Sequence, residues 1–110
     1  MERVVNEIDS ESLQQRIAAG EGIVLLDIRT PAEVAQGVIP QAQLLPMHLL
    51  PLRLNELPQD RDVIIYCRSG ARSYQACAYM MQQGWDRVIN LRGGIIAWAR
   101  HGYPIDYPEQ

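Results

Sequence analysis

The chain of 110 residues contains no lysine; all ten of its basic residues are arginine. Nothing in the chemistry of the chain requires that bias. Long apolar runs are also missing. The longest are about five residues, against the ~20 a membrane-spanning helix needs, so no membrane partner is expected. There is no low-complexity stretch and no internal repeat. The N-terminus lacks a basic region followed by an apolar one, so no signal peptide is expected and the cytoplasm is the expected compartment. Positive charge is not in excess. The net charge of −3 speaks against nucleic acid or an anionic lipid surface as the main partner. Cysteine and histidine are scarce, at two each. Their positions give no metal-ligand spacing and no disulfide framework, so neither a metal centre nor a disulfide is expected.

What remains fits one globular domain spanning residues 1–110, with 47% hydrophobic and 21% charged residues. Apolar runs and helix-like segments alternate along it. Val4 and Val5 suggest a short edge strand. Ser10 is placed to cap a helix ending near Ala19, stopped by Gly20, with Leu13 and Ile17 on its buried face. Ile23–Asp27 reads as a strand buried on both faces, the mark of a parallel sheet. Thr30-Pro31-Ala32-Glu33 has the form of a capping box with proline in the first helical position. Ala42–Leu45 reads as a third strand. Met47–Leu57, rich in leucine, reads as a helix starting near Pro51, alone or after a turn. Val63–Tyr66 is the central buried strand. A helix over 72–83 carries Tyr74, Cys77, Ala78 and Met81 as its apolar stripe and ends at Gly84. Arg87–Leu91 is a strand, and Gly93-Gly94 turn the chain into a last helix bearing Ile96 and Trp98. The alternation predicts an α/β protein with a mainly parallel sheet and helices on both sides. In such sheets ligands sit outside the carboxyl ends of the strands, where Asp27, Cys67 and Leu91 fall.

Cys67 is the residue that carries chemistry. It ends Val63-Ile64-Ile65-Tyr66 and opens Cys67-Arg68-Ser69-Gly70-Ala71-Arg72-Ser73, after which the helical pattern begins. A strand, a tight loop and a helix N-terminus form an anion cradle. Backbone N–H groups point inward and the helix contributes roughly half a positive charge. Such surroundings favour a thiolate, hence a nucleophile. The plain alternative is an inert cysteine at a strand end. Arginine, serine and glycine around it suit an anion-binding turn and not a core. Cys77, ten residues on, reads as a packed core cysteine, Trp85 and Trp98 as packing anchors, and His101 as a partner of a helix dipole.

Three segments resemble the single-domain rhodaneses, the thiosulfate-type sulfurtransferases, over nearly the whole chain. They are Leu26-Asp27-Ile28-Arg29 with Glu33 and Gly37–Ala42, the Cys67–Ser73 loop, and Gly84-Trp85 through Asn90-Leu91-Arg92-Gly93-Gly94 to Trp98. Two positions depart from the family's pattern. Val38 stands where it usually has histidine, and Gln41 where it usually has glycine. The resemblance implies a three-layer α/β/α fold whose five-stranded sheet has the order 3-2-4-5-1. It implies sulfur transfer in two steps through a Cys67 persulfide, from a small anionic donor such as thiosulfate, or from a persulfide, to a thiol or cyanide acceptor. Thioredoxin or another sulfur-relay protein fits as an acceptor. Arg68, Ser69, Gly70, Ala71 and Arg72 are the expected substrate-binding residues. Asp27, Arg29 and Glu33 are the expected supports of the site, with Arg29 paired to Glu33. A regulatory module of the same fold is one rival reading. The related cell-cycle-type phosphatases and arsenate reductases are another. Those enzymes place five residues between cysteine and arginine, whereas residues 68–71 make four here. The shorter loop suits one sulfur atom better than a tetrahedral phosphate.

Overall fold

The computed structural model describes residues 4–108. Five strands form one parallel sheet: β1 (Asn6–Ile8), β2 (Val24–Asp27), β3 (Gln43–Leu44), β4 (Val63–Tyr66) and β5 (Val88–Leu91). Their order across the sheet is β1-β5-β4-β2-β3, the order implied by the resemblance read from the other edge. Central position explains composition. β2 and β4 are buried at every residue, and both are continuous apolar runs apart from the terminal Asp27.

Helices α1 (Ser10–Ala18) and α5 (Gly94–Arg100) cover one face, where Leu13, Ile95 and Trp98 pack on Leu25, Ile64 and Tyr66. Helices α3 (Leu50–Arg53) and α4 (Ala71–Gln82) cover the other, where Leu50, Ala76, Cys77 and Met80 pack on Leu26, Ile65 and Cys67. The period-2 alternation of β4 therefore sends Ile64 and Tyr66 to the α5 side and Ile65 and Cys67 to the α4 side. Helix α2 (Pro31–Val34) is one turn long. It starts with the expected capping box, Thr30 and Glu33 each satisfying the other's backbone N–H.

Several local expectations differ from the structure. The edge strand starts two residues late. Val5 is buried in the core, and pairing with β5 runs from Asn6 to Ile8. The cap of α1 is Asp9, whose carboxylate accepts from the Ser12 N–H at 2.8 Å; Ser10 is already helical. Asp9 is as good a cap as serine, so a one-residue shift in the entry to the helix decides between them. The leucine-rich segment takes the second of its two expected forms: a 3₁₀ turn at Met47–Leu49 leads into α3 beside Pro51, and a further 3₁₀ turn at Leu54–Glu56 ends it. On α4 the buried face is Ser73, Ala76, Cys77 and Met80, while Tyr74 is exposed. Cys77 is buried as expected and Ala78 and Met81 pack partly buried on the core, while the small side chains of Ser73 and Ala76 let the helix lie close on β4 and β5 in place of Tyr74.

Gln41 sits in the left-handed backbone region at φ 67°, the sole non-glycine residue there among those described. This is the position where the family's pattern has glycine. The departure noted in the sequence is thus a turn in which an ordinary side chain occupies a glycine conformation.

Candidate active site

Strand β4 ends at Tyr66 and delivers Cys67 to the carboxyl edge of the sheet, 1% exposed. The loop then folds back over the sulfur. Gly70 adopts a left-handed conformation (φ 101°) as the residue before α4, which turns its N–H inward. That N–H donates to Cys67 Sγ at 3.1 Å. The Ser73 N–H, in the first turn of α4, and the Ser73 hydroxyl each reach Sγ at 3.4 Å. Burial pushes the thiol's pKa up. The Ser73 hydroxyl, the Ser73 N–H and the N–H groups of Gly70 and Ser69 outweigh that effect, so the pKa lies below the ordinary cysteine value. These donors favour the charged form of the buried sulfur against the opposing effect of burial. Cys77 is the opposite case. Burial, with a contribution from the Glu7 charge, pushes its pKa up to about 12, as suits a packed cysteine.

The two loop arginines differ in environment. Arg72 is held by Glu33 in a bidentate ion pair at 2.8 and 2.7 Å, which bridges α2 to the start of α4. Arg68 is exposed, and its guanidinium has no hydrogen bond or ion pair among the described residues. The loop's available cation is therefore Arg68, while the charge of Arg72 is matched. Ser69 and Ala71 are exposed and Gly70 is buried. A cleft of about 280 Å³ opens beside the loop, with Arg68 on its rim and Ile95, Ile96, Ala99, Ile105 and Tyr107 on its wall.

Behind the loop, the expected pairing of Arg29 with Glu33 is replaced. Arg29 instead grips Asp27 with three guanidinium contacts between 2.7 and 3.1 Å, and both side chains are buried. It also donates to the carbonyls of Gly37 at 2.7 Å and Glu33 at 3.3 Å. Asp27 is two residues away and buried with it, so it meets the guanidinium first. Glu33 points its carboxylate outward to Arg72. The pair ties the end of β2 to the turn after α2, and Asp27 is in register with Tyr66, one residue before Cys67.

Helix α5 completes the support. Ile95 and Ile96 donate their N–H groups to the carbonyls of Cys67 and Arg68 at 3.0 and 3.2 Å. Two polar side chains at the site were not assigned from the sequence. Ser73 was visible as the last residue of the loop motif. Asn90, 1% exposed on β5, stands in the sequence as an asparagine inside an otherwise apolar strand and within the C-terminal segment of the resemblance.

Comparison with known proteins agrees with this architecture. Residues 9–101 match the model of the rhodanese-like domain. A protein of Allochromatium vinosum named sulfurtransferase is 74% identical over 106 residues, covering 96% of this chain and 99% of that protein. The thiosulfate sulfurtransferase GlpE of Stutzerimonas stutzeri is 39% identical over 85 residues, 77% of each chain. The crystal structure of a rhodanese-like domain protein from Staphylococcus aureus superimposes with a TM-score of 0.86 at 30% identity, over 96% of this chain and 100% of that one. A parallel sheet in this order, ending in a cysteine loop, defines the rhodanese-like class. This chain belongs to that family, whose relatives here bear the name sulfurtransferase.

Proposed function

We propose that the chain is a thiosulfate- or persulfide-dependent sulfurtransferase that carries one sulfur on Cys67. The observation that carries this reading is the Cys67 sulfur itself, buried and met by the N–H groups of Gly70 and Ser73 and by the Ser73 hydroxyl. In the first step the thiolate attacks the outer sulfur of thiosulfate. A bond forms between Sγ and that sulfur, the sulfur–sulfur bond of thiosulfate breaks, and its electron pair leaves with sulfite. The negative charge now sits on the outer sulfur of the persulfide. In the second step an acceptor thiolate or cyanide attacks that outer sulfur, and the electron pair of the Sγ–S bond returns to Sγ. The cycle balances without a metal or organic cofactor.

Arg68, unpaired at the mouth, draws the donor anion in. Arg72 and Glu33 hold the helix start in place, and Asp27 with Arg29 anchors the adjoining strand end. Ser69, Gly70 and Ala71 supply the backbone of the cradle. The acceptor is a thiol, cyanide, or a sulfur-relay protein such as thioredoxin, and the cytoplasm is where such thiols are kept reduced. The four-residue spacing between Cys67 and Arg72 favours this chemistry over phosphate-ester hydrolysis.

Steady-state assay with thiosulfate and cyanide tests the proposal. Thiocyanate should form with the native chain and not with Cys67→Ser. Neither should hydrolyse p-nitrophenyl phosphate. Cysteine-dependent hydrolysis of that ester without thiocyanate formation would reverse the assignment.

A further inference from the structure

Behind the sulfur a polar chain joins β1 and β5 to the loop and the first turn of α4. Asn90 Nδ2 donates to Glu7 Oε2 on β1 at 2.9 Å and to the carbonyl of Gly70 at 3.2 Å. Both partners can only accept, so the amide orientation is fixed and Oδ1 must face Ser73. The Ser73 hydroxyl donates to that Oδ1 across a short contact, yet it also lies 3.4 Å from Cys67 Sγ. A serine hydroxyl has one proton, so it serves one of these acceptors at a time.

We propose that Asn90 is a positioning residue of the sulfur site: it holds the Ser73 hydroxyl between Asn90 Oδ1 and Cys67 Sγ, so that the proton turns to sulfur when Sγ is charged and returns to Asn90 when it is not. The idea rests on the sulfur-transfer reading for its use in turnover. In that cycle the charge leaves Sγ as the Sγ–S bond forms, and returns to it as that bond breaks. A fixed donor aimed at Sγ would be left unsatisfied in the persulfide, where Sγ is uncharged. Two acceptors within reach of one hydroxyl keep the buried donor paired in both states. Glu7 on β1 bonds Asn90 from behind, and the charge of Arg72, paired with Glu33, acts on the sulfur.

The test is the rate of iodoacetamide alkylation against pH for the native chain, Ser73→Ala, Asn90→Leu and the double variant. Alkylation reads the free thiolate and requires no sulfur transfer, so its outcome is separable from that of the functional proposal. Ser73→Ala removes the donor. Its neutral-pH rate should fall about threefold to tenfold, the lost thiolate being partly offset by the greater intrinsic nucleophilicity of a more basic thiol. Asn90→Leu leaves sulfur as the hydroxyl's only acceptor. Its rate should equal or exceed that of the native chain, and the substitution should change nothing in the Ser73→Ala background. A folded Asn90→Leu that alkylates as slowly as Ser73→Ala overturns the proposal, because Asn90 then only holds the loop together. If Asn90→Leu does not fold, Asn90→Ala, which also removes Oδ1, takes its place in the same alkylation series, and a rate as low as that of Ser73→Ala overturns the proposal.

Discussion

Gly94 gives the sharpest test of how α5 supports the loop. It opens the helix at φ 59°, and a Cβ added there would lie 2.4 Å from the carbonyl oxygen of Arg68 and 2.6 Å from that of Cys67. These are backbone atoms, so no side-chain rotation relieves the contact. Gly94→Ala must push α5 away and strain the two hydrogen bonds from Ile95 and Ile96 to the same carbonyls. The left-handed conformation, the overpacking and the strained hydrogen bonds together cost about 3–5 kcal/mol. That is a large share of the ~5–15 kcal/mol that holds a typical domain together. Gly20→Ala is the control. Gly20 has a similar φ of 71° but nothing within 4 Å of an added Cβ, so it isolates the conformational part, about 1 kcal/mol. Equilibrium urea unfolding of both variants measures the difference. Equal losses would refute the close-approach argument.

Three further outcomes are expected. Arg68→Ala should raise KM for thiosulfate about threefold to tenfold with little change in kcat, and the effect should shrink at high salt, as fits an exposed cation meeting a dianion; an equal loss in kcat, insensitive to salt, would mean that Arg68 supports the loop. The Arg72 guanidinium, against the smaller opposing effect of burial, holds the Glu33 carboxyl at a pKa of about 2, below its ordinary 4.5. A depressed carboxyl stabilises the fold above 4.5 and loses that contribution as pH falls through about 2. Since Arg72 is 39% exposed, solvent screening limits the pair to about 1 kcal/mol. Glu33→Gln should therefore be less stable than the native chain near neutral pH and close to it near the bottom of that window; a gap that does not narrow in urea unfolding would count against the pair. Gln41→Gly should raise stability by about 1 kcal/mol, because it relieves the φ of 67°, and a lowered Tm would show that glutamine fits the turn.

The parts of this molecule that local chemistry dictates were readable from the chain. Val63–Tyr66 is a β-branched apolar run that had to be buried, and the polar, glycine-bearing string after it had to be a turn. Thr30, Pro31 and Glu33 specify a helix start by themselves, and the structure agrees to the residue. The sheet order is set by crossover connections that leave no local trace, and it came only with the family resemblance. Partner choice was the least legible feature. Arg29 has Asp27 and Glu33 at suitable distances in sequence, and only the shared burial of Arg29 with Asp27 decides between them. Ser73 and Asn90 are 17 residues apart and meet because α4 lies across β5, a contact no spacing announces. On α4 the expected Cys77, Ala78 and Met81 do face the core, and only Tyr74 departs, because the small Ser73 beside it takes the place facing the sulfur.

The account turns on Cys67 as the carrier of sulfur. Intact mass spectrometry after incubation with thiosulfate tests this most directly. The native chain and Cys77→Ser should each gain the mass of one sulfur atom, and cyanide should remove it. Cys67→Ser should gain none. An adduct that survives in Cys67→Ser, or that disappears in Cys77→Ser alone, would contradict the account.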